Sequence, residues 1–225
     1  QVVLLIDEYD KPIITHLGKG DEEIRLAEKN RDILKNFYGT IKAASVIENL
    51  RFVLLTGVSK FSKAGVFSEL NNLSDITMHD RYASILGITE EELAHYFDEY
   101  IKLQCNYLEI DEEEVRLKIR EYYNGYRFSE TDLKVYNPFS LIKFFDESKF
   151  RNYWFESGTP TFLVNLIKER NYYIPQTESF SADETTFSSY ELDNLDITAL
   201  LFQTGYLTIK DYDRDFGTYV LGYPN

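Results

Sequence analysis

Two adjacent carboxylates, Asp7 and Glu8, end the apolar run VVLLI in the opening stretch QVVLLIDEYDKP. Acids at the tip of a core strand need an explanation, because burying a carboxylate is costly unless a partner compensates. The pair has a chemistry of its own. An Asp in that place can hold Mg²⁺ through water, and the next Glu can polarise a water for attack on a phosphoryl group. In the competing structural reading, both acids only cap the following turn. A third reading, metal-dependent hydrolysis by Asp7, Glu8 and Asp10 without nucleotide, is weakened because adjacent strand side chains point to opposite faces. A second apolar run, FVLLTGVSK, ends in Thr56, Gly57, Ser59 and Lys60, where hydroxyls and an ammonium could meet a phosphate. A plain Thr-Gly turn is the alternative there, and the stronger one for Ser59 and Lys60 taken singly.

Other chemistries find less support. The single cysteine, Cys105, excludes an internal disulfide and fits a reducing cytosol. The three histidines, His16, His79 and His95, are scattered, so neither a Cys/His nucleophile nor a zinc cluster is spelled out. Glu147-x-Lys149 lacks an upstream strand Asp for a nuclease centre. LGKGDEE contains Gly-Lys-Gly but runs into acids and is not a phosphate loop; the pattern GxxxxGK[ST] occurs nowhere in the 225 residues. A net charge of −14 argues against broad nucleic-acid binding by this chain. A locally held nucleotide remains compatible with it.

The elements that must position the acids follow from periodicity. VVLLI at 2–6 and the run at about 51–56 read as strands buried on both faces of a parallel sheet. Between them, Ile24, Leu26, Ile33, Leu34, Phe37 and Ile41 mark a helix, giving a βαβ unit. Ligands of such sheets sit beyond the C-terminal strand ends, where Asp7, Glu8, Thr56 and Ser59 fall. From about residue 87 the pattern is helical. Thr89 with Glu92 spells a capping box, and Asp111 with Glu114 repeats it. Asn137-Pro138 and Thr159-Pro160 start helices at about 138–147 and 160–170. The tail, ITALLFQTGYLTIKDYDRDFGTYVLGY, reads as a helix followed by a hairpin, the outline of a winged helix. Its loop acids, Asp211, Asp213 and Asp215, argue against DNA reading. The aromatics of YYNGYRF could stack bases, but Asn124-Gly125 favours a packed turn.

An apolar strand ending in Asp-Glu is the Walker B arrangement of P-loop NTPases, and a polar residue on the neighbouring strand tip is their sensor. Together with LLIDEYDKPI, FVLLTGVSKFSKAGVFSELNNLSDIT, YYNGYRFS, VYNPFSLIKFF, NYWFESGTPTFL and LLFQTGYLTI, these features resemble the bacterial AAA-ATPase-like proteins. Members often carry a C-terminal PD-(D/E)xK nuclease-like domain. The resemblance implies an α/β fold: the C-terminal part of a P-loop NTPase parallel sheet, then a mostly helical region ending in a winged-helix-like helix plus hairpin. Residues 1–86 would be a partial ATPase core, 87–150 a helical region and 151–225 a helical, winged-helix-like region.

The same resemblance implies roles: Asp7 for the metal, Glu8 as catalytic base, and Thr56, Ser59 and Arg81 as nucleotide contacts. Its cofactors are ATP and Mg²⁺, expected for the full-length protein. The implied function is a portion of a Mg²⁺-ATP-dependent AAA/STAND-like ATPase with Walker B and sensor present and Walker A missing from this chain. On that reading the chain is a fragment, inactive alone, of a cytoplasmic ATPase. The alternative is a non-catalytic interaction module built on an ATPase remnant, with the nuclease-like domain or another protein as partner. No membrane partner is expected, and an exposed sheet edge would invite self-association.

Overall fold

The computed structural model describes residues 1–59, 66, 72–156, 161–169, 180–183, 186–187 and 196–225. The chain is mixed α/β and divides into two compact units. The first comprises Gln1–Ser74, Pro160–Thr177 and Ala182–Thr204; the second comprises Asp75–Thr159, Glu178–Ser181 and Gly205–Asn225. No described helix is long and apolar enough to cross a membrane.

In the first unit, β1 (Val2–Ile6) pairs in parallel with β2 (Leu50–Leu55), in a register running from Val3 opposite Phe52 to Ile6 opposite Leu55. The crossover holds α1 (Lys11–Ile14), α2 (Asp21–Gly39) and α3 (Ala44–Ile47). Parallel pairing brings both C-terminal strand ends to the same side, which is what the acids of β1 require. Gly20 is the N-cap residue of α2 at φ +91°, with Asp21, Glu22 and Glu23 in the first turn. Those acids satisfy the positive end of the helix dipole, so the Gly-Lys-Gly stretch leads into a helix start.

The strands differ from expectation in one respect. They are not buried on both faces: Val3, Phe52 and Leu5, the last at 65% exposure, face outward. Among the described residues the sheet has two strands, and α2 packs chiefly on α1, so no element covers that face. The buried side chains sit instead in the helical crossover, with Ile13, Ile14, Leu17, Ala27 and Tyr38 among them. Also in this unit are α8 (Thr161–Glu169) and α9 (Ile197–Gln203). Gly18, at φ +68°, lets the backbone after α1 approach Asn165 and Leu166 of α8; a Cβ there would lie 2.8 Å from both. The Asp196 carboxylate caps α9 by accepting from Ala199 N–H at 3.0 Å. The expected Thr159-Pro160 helix start and Lys60 lie outside the described residues.

The second unit is a helical cluster plus a hairpin. It holds α4 (Glu90–Tyr96), α5 (Asp98–Leu108), α6 (Glu112–Tyr123) and α7 (Pro138–Glu147). Thr89 and Glu92 close a reciprocal capping box on α4. Asp111 caps α6, although Glu114 there turns to Lys118 instead of reaching back. Asn137 caps α7 ahead of Pro138. The helices bury Leu93, Ile101, Val115, Ile119, Tyr123, Tyr136, Leu141, Phe144 and Tyr153 around one core. Within YYNGYRF, Tyr123 and Tyr126 are buried, so their faces are not offered to a base. Gly125 sits at φ +117° with Pro224 O 2.0 Å from where a Cβ would stand, a place only glycine fits. Arg127 is buried too, its guanidinium donating to the carbonyls of Ser129, Glu130 and Thr131. Strands β4 (Thr208–Asp213) and β5 (Thr218–Gly222) form the antiparallel hairpin; β3 (Phe180–Asp183) pairs with β5 on its other side. The helix and the hairpin read together as a winged helix thus belong to different units.

Candidate functional site at the parallel strand ends

At the C-terminal end of β1, the chain leaves the ladder through Asp7, and Glu8 takes a left-handed backbone, φ +51°. Such a conformation is strained for any residue with a Cβ and persists only where the surroundings impose it. Here they do. Thr56 N–H donates to Ile6 O at 2.8 Å, and Tyr9 N–H donates to Thr56 O at 3.0 Å, so the turn is clamped on both sides of Glu8. The Glu8 side chain is more than half exposed, with Lys11 Nζ 3.4 Å away.

Asp7 is held from two sides. Its Oδ1 accepts from Thr56 Oγ1 at 2.5 Å and from Glu8 N–H at 2.9 Å. Among the described residues its Oδ2 accepts no hydrogen bond, and the residue is exposed. The structure thus joins Asp7, Glu8 and Thr56, the first two from β1 and the third from its parallel neighbour. This fixes one carboxylate oxygen and leaves the other available to a cation or its water shell. Oxygen donors of this kind suit Mg²⁺, which keeps most of its waters and takes one or two carboxylates. Among the described residues no group of three or more His, Cys, Asp or Glu side chains could hold a metal ion by itself.

Ser59 belongs to the same end of the sheet but is placed differently. It is buried, and among the described residues its Oγ has no hydrogen-bond partner. Arg81 lies in the second unit, in the short 3₁₀ turn Asp80–Tyr82, exposed, with its main-chain N–H on His79 Nδ1 at 3.2 Å.

Sequence reasoning weighed Asp10 only as a third metal ligand, whereas in the structure it ties the two loops together. Asp10 is fully buried. Its Oδ2 accepts from Ser59 N–H at 2.5 Å and its Oδ1 from Val58 N–H at 3.2 Å. Tyr9 OH reaches Ser59 O at 2.6 Å. The loop after β1 is therefore latched onto the loop after β2, a few residues beyond the Asp7–Thr56 contact in both segments. Gly57 makes this close approach feasible: a Cβ there would stand 2.6 Å from the Tyr9 ring and 2.7 Å from Asp10 Oδ1. Burial pushes the Asp10 carboxyl up from its ordinary range, against the lowering effect of the two N–H donors. Burial also pushes Tyr38 up, and the Asp10 charge adds to it. Asp10 stands at the N-cap position of α1 but makes no side-chain cap hydrogen bond there; its carboxylate serves the distant loop instead.

A comparison of sequences bears on this end of the chain. Residues 1–67 match the family described as AAA-ATPase-like, "Predicted AAA-ATPase". The chain is also 42% identical, over its whole length, to the "Uncharacterized protein in vnfD 5'region" of Azotobacter chroococcum mcd 1. It spans 40% of that relative's length. No solved structure matches. The matched segment holds Asp7, Glu8, Asp10, Thr56 and Ser59, and over it the chain is similar to the AAA-ATPase-like family.

Proposed function

We propose that the chain is a portion of a Mg²⁺-ATP-dependent AAA/STAND-like ATPase, in which β1 is the Walker B strand and β2 the sensor strand. The observation that carries this reading is the Asp7–Thr56 hydrogen bond across two parallel strand ends, with Glu8 displayed beside it. Bound Mg²⁺ would neutralise the charge that develops on the transferring phosphoryl group. Asp7 would hold it through its outward oxygen, while Thr56 fixes that carboxylate's orientation. Glu8, held forward by its left-handed backbone, would accept a proton from the attacking water. Ser59 is a proposed nucleotide contact. Among the described residues the Ser59 hydroxyl lacks an acceptor, which suits a phosphate oxygen.

The P-loop is proposed to come from the longer protein, as is any nuclease-like domain acting with this chain. The β4–β5 hairpin is proposed as a protein-contact element, since acids crowd its tip. Calorimetry with Mg²⁺-ATP on the full-length protein tests the proposal. Saturable binding that Asp7→Ala abolishes supports it; binding indifferent to Asp7→Ala removes Asp7 from the site. A non-catalytic interaction module is the second reading, favoured by the uncovered apolar face of β1 and β2. Absence of nucleotide binding in the full-length protein would decide for it.

A further inference from the structure

The helices of the second unit leave a patterned surface uncovered. Tyr96 at the end of α4, and Tyr100, Leu103 and Tyr107 on α5, recur at intervals of four, three and four residues. Within α5 that interval places Tyr100, Leu103 and Tyr107 in one stripe along the helix. All four face solvent, at 66%, 53%, 62% and 70% exposure. They are separate from Leu93, Phe97 and Ile101, which form the stripe these helices turn to the core. The Tyr100 ring lies 5.8 Å from that of Phe145, so the surface continues onto α7, where Ile142 is exposed less than one turn earlier. Single exposed apolar residues need no explanation, but a run in register that spreads to a second helix has the form of a contact surface. Tyrosine is suited to it, with a large rigid ring for contact and a hydroxyl for the wet rim.

Charge decides what would cover it. Residues 89–111 carry seven carboxylates against one lysine, Lys102; Asp98 and Glu90 are also met by Arg116 and Arg120 of α6, so the excess acid rests on Glu91, Glu92, Glu99, Glu109 and Asp111. That lysine is already held by Asp98 at 2.7 Å and Glu99 at 3.1 Å. A second copy would set these acids against each other, and nucleic acid would bring phosphates to them. We propose that the α4–α5 face docks an amphipathic helix of a protein partner, apolar at three- and four-residue spacing and edged with lysine or arginine. This stands on different residues from the nucleotide reading and does not depend on it.

The test uses two synthetic helical peptides with the same leucine seam, one edged with lysine and one with glutamate, titrated against the chain by fluorescence anisotropy. The lysine-edged peptide binds saturably. Its affinity falls on the order of tenfold in high salt, and again in the double variant Leu103→Ser, Tyr107→Ser. Both positions are exposed, so the variant keeps its circular dichroism. Charge reversal by Glu91→Lys with Glu99→Lys shifts preference toward the glutamate-edged peptide. The proposal is overturned if the lysine-edged peptide does not bind, if both peptides bind alike, or if the double variant binds unchanged. Self-association in sedimentation that the double variant abolishes would overturn it too, by assigning the face to a second copy.

Discussion

Replacing Asp10 by alanine separates the latch from the site it supports. The substitution removes the acceptor of Ser59 N–H, a buried donor, and of Val58 N–H, a half-buried one. A buried donor left unpaired costs about 1–3 kcal/mol, and a partly wetted one less. Part of this is recovered because the carboxylate itself was costly to bury. The expected net loss is about 2 kcal/mol, concentrated in the two loops. With two compact units the chain need not unfold in one step, so the assay is amide hydrogen exchange read at residues 56–59. Protection there drops roughly 30-fold, the factor corresponding to ~2 kcal/mol, while amides of α5 and α6 are unchanged. The pH dependence carries a sign. Folding raises the Asp10 pKa through burial, so the folded chain binds this proton more tightly than the unfolded one. The group's stabilising contribution is whole below about pH 4 and declines as pH rises through the raised value. In Asp10→Asn that decline vanishes. Unchanged exchange at Val58 and Ser59 in Asp10→Ala would refute the latch.

Other consequences can be checked by denaturation. Glu8→Gly relieves the left-handed strain at φ +51° and raises stability by roughly 1 kcal/mol in urea melts, while removing the proposed base. Gly57→Ala drives a Cβ into Tyr9 and Asp10 and lowers stability by about 1–3 kcal/mol. Thr89→Ala deletes half of a capping box and costs the second unit about 1 kcal/mol, seen as a lower thermal midpoint. Although burial pushes Glu90 up, hydrogen bonds from Tyr136 and Arg120 hold its carboxyl below the usual range. The stabilisation it gives is therefore present above the unfolded pKa and fades as pH falls through the lowered one, an acid-side loss that Glu90→Gln removes.

Much of the local structure was written in short-range patterns. The two parallel strands, the α4 capping box and the Asn137-Pro138 start of α7 each depend on residues within one turn or one ladder. Asp7 and Glu8 were legible for the same reason, since a strand end needs only its own sequence to be recognised. Asp10 was not: its partners, Val58 and Ser59, lie almost fifty residues away. The outward face of Val3, Leu5 and Phe52 was misread because an unbroken apolar run states that a strand can be covered, not that neighbouring elements cover it. Tyr96, Tyr100, Leu103 and Tyr107 were passed over because an apolar stripe is first read as core, and the core stripe of α4 and α5 lies beside them.

The central claim is that Asp7 and Glu8 divide metal holding from proton acceptance at one strand end. It is tested most directly by steady-state ATP turnover of the full-length protein carrying Glu8→Gln or Asp7→Ala, each measured with Mg²⁺-ATP binding on the same sample. The account predicts that Glu8→Gln retains binding and loses turnover by a factor of about 10²–10⁴, the usual worth of a positioned base. Asp7→Ala loses both. Turnover that survives Glu8→Gln, or binding that survives Asp7→Ala with its Mg²⁺ dependence intact, would contradict it.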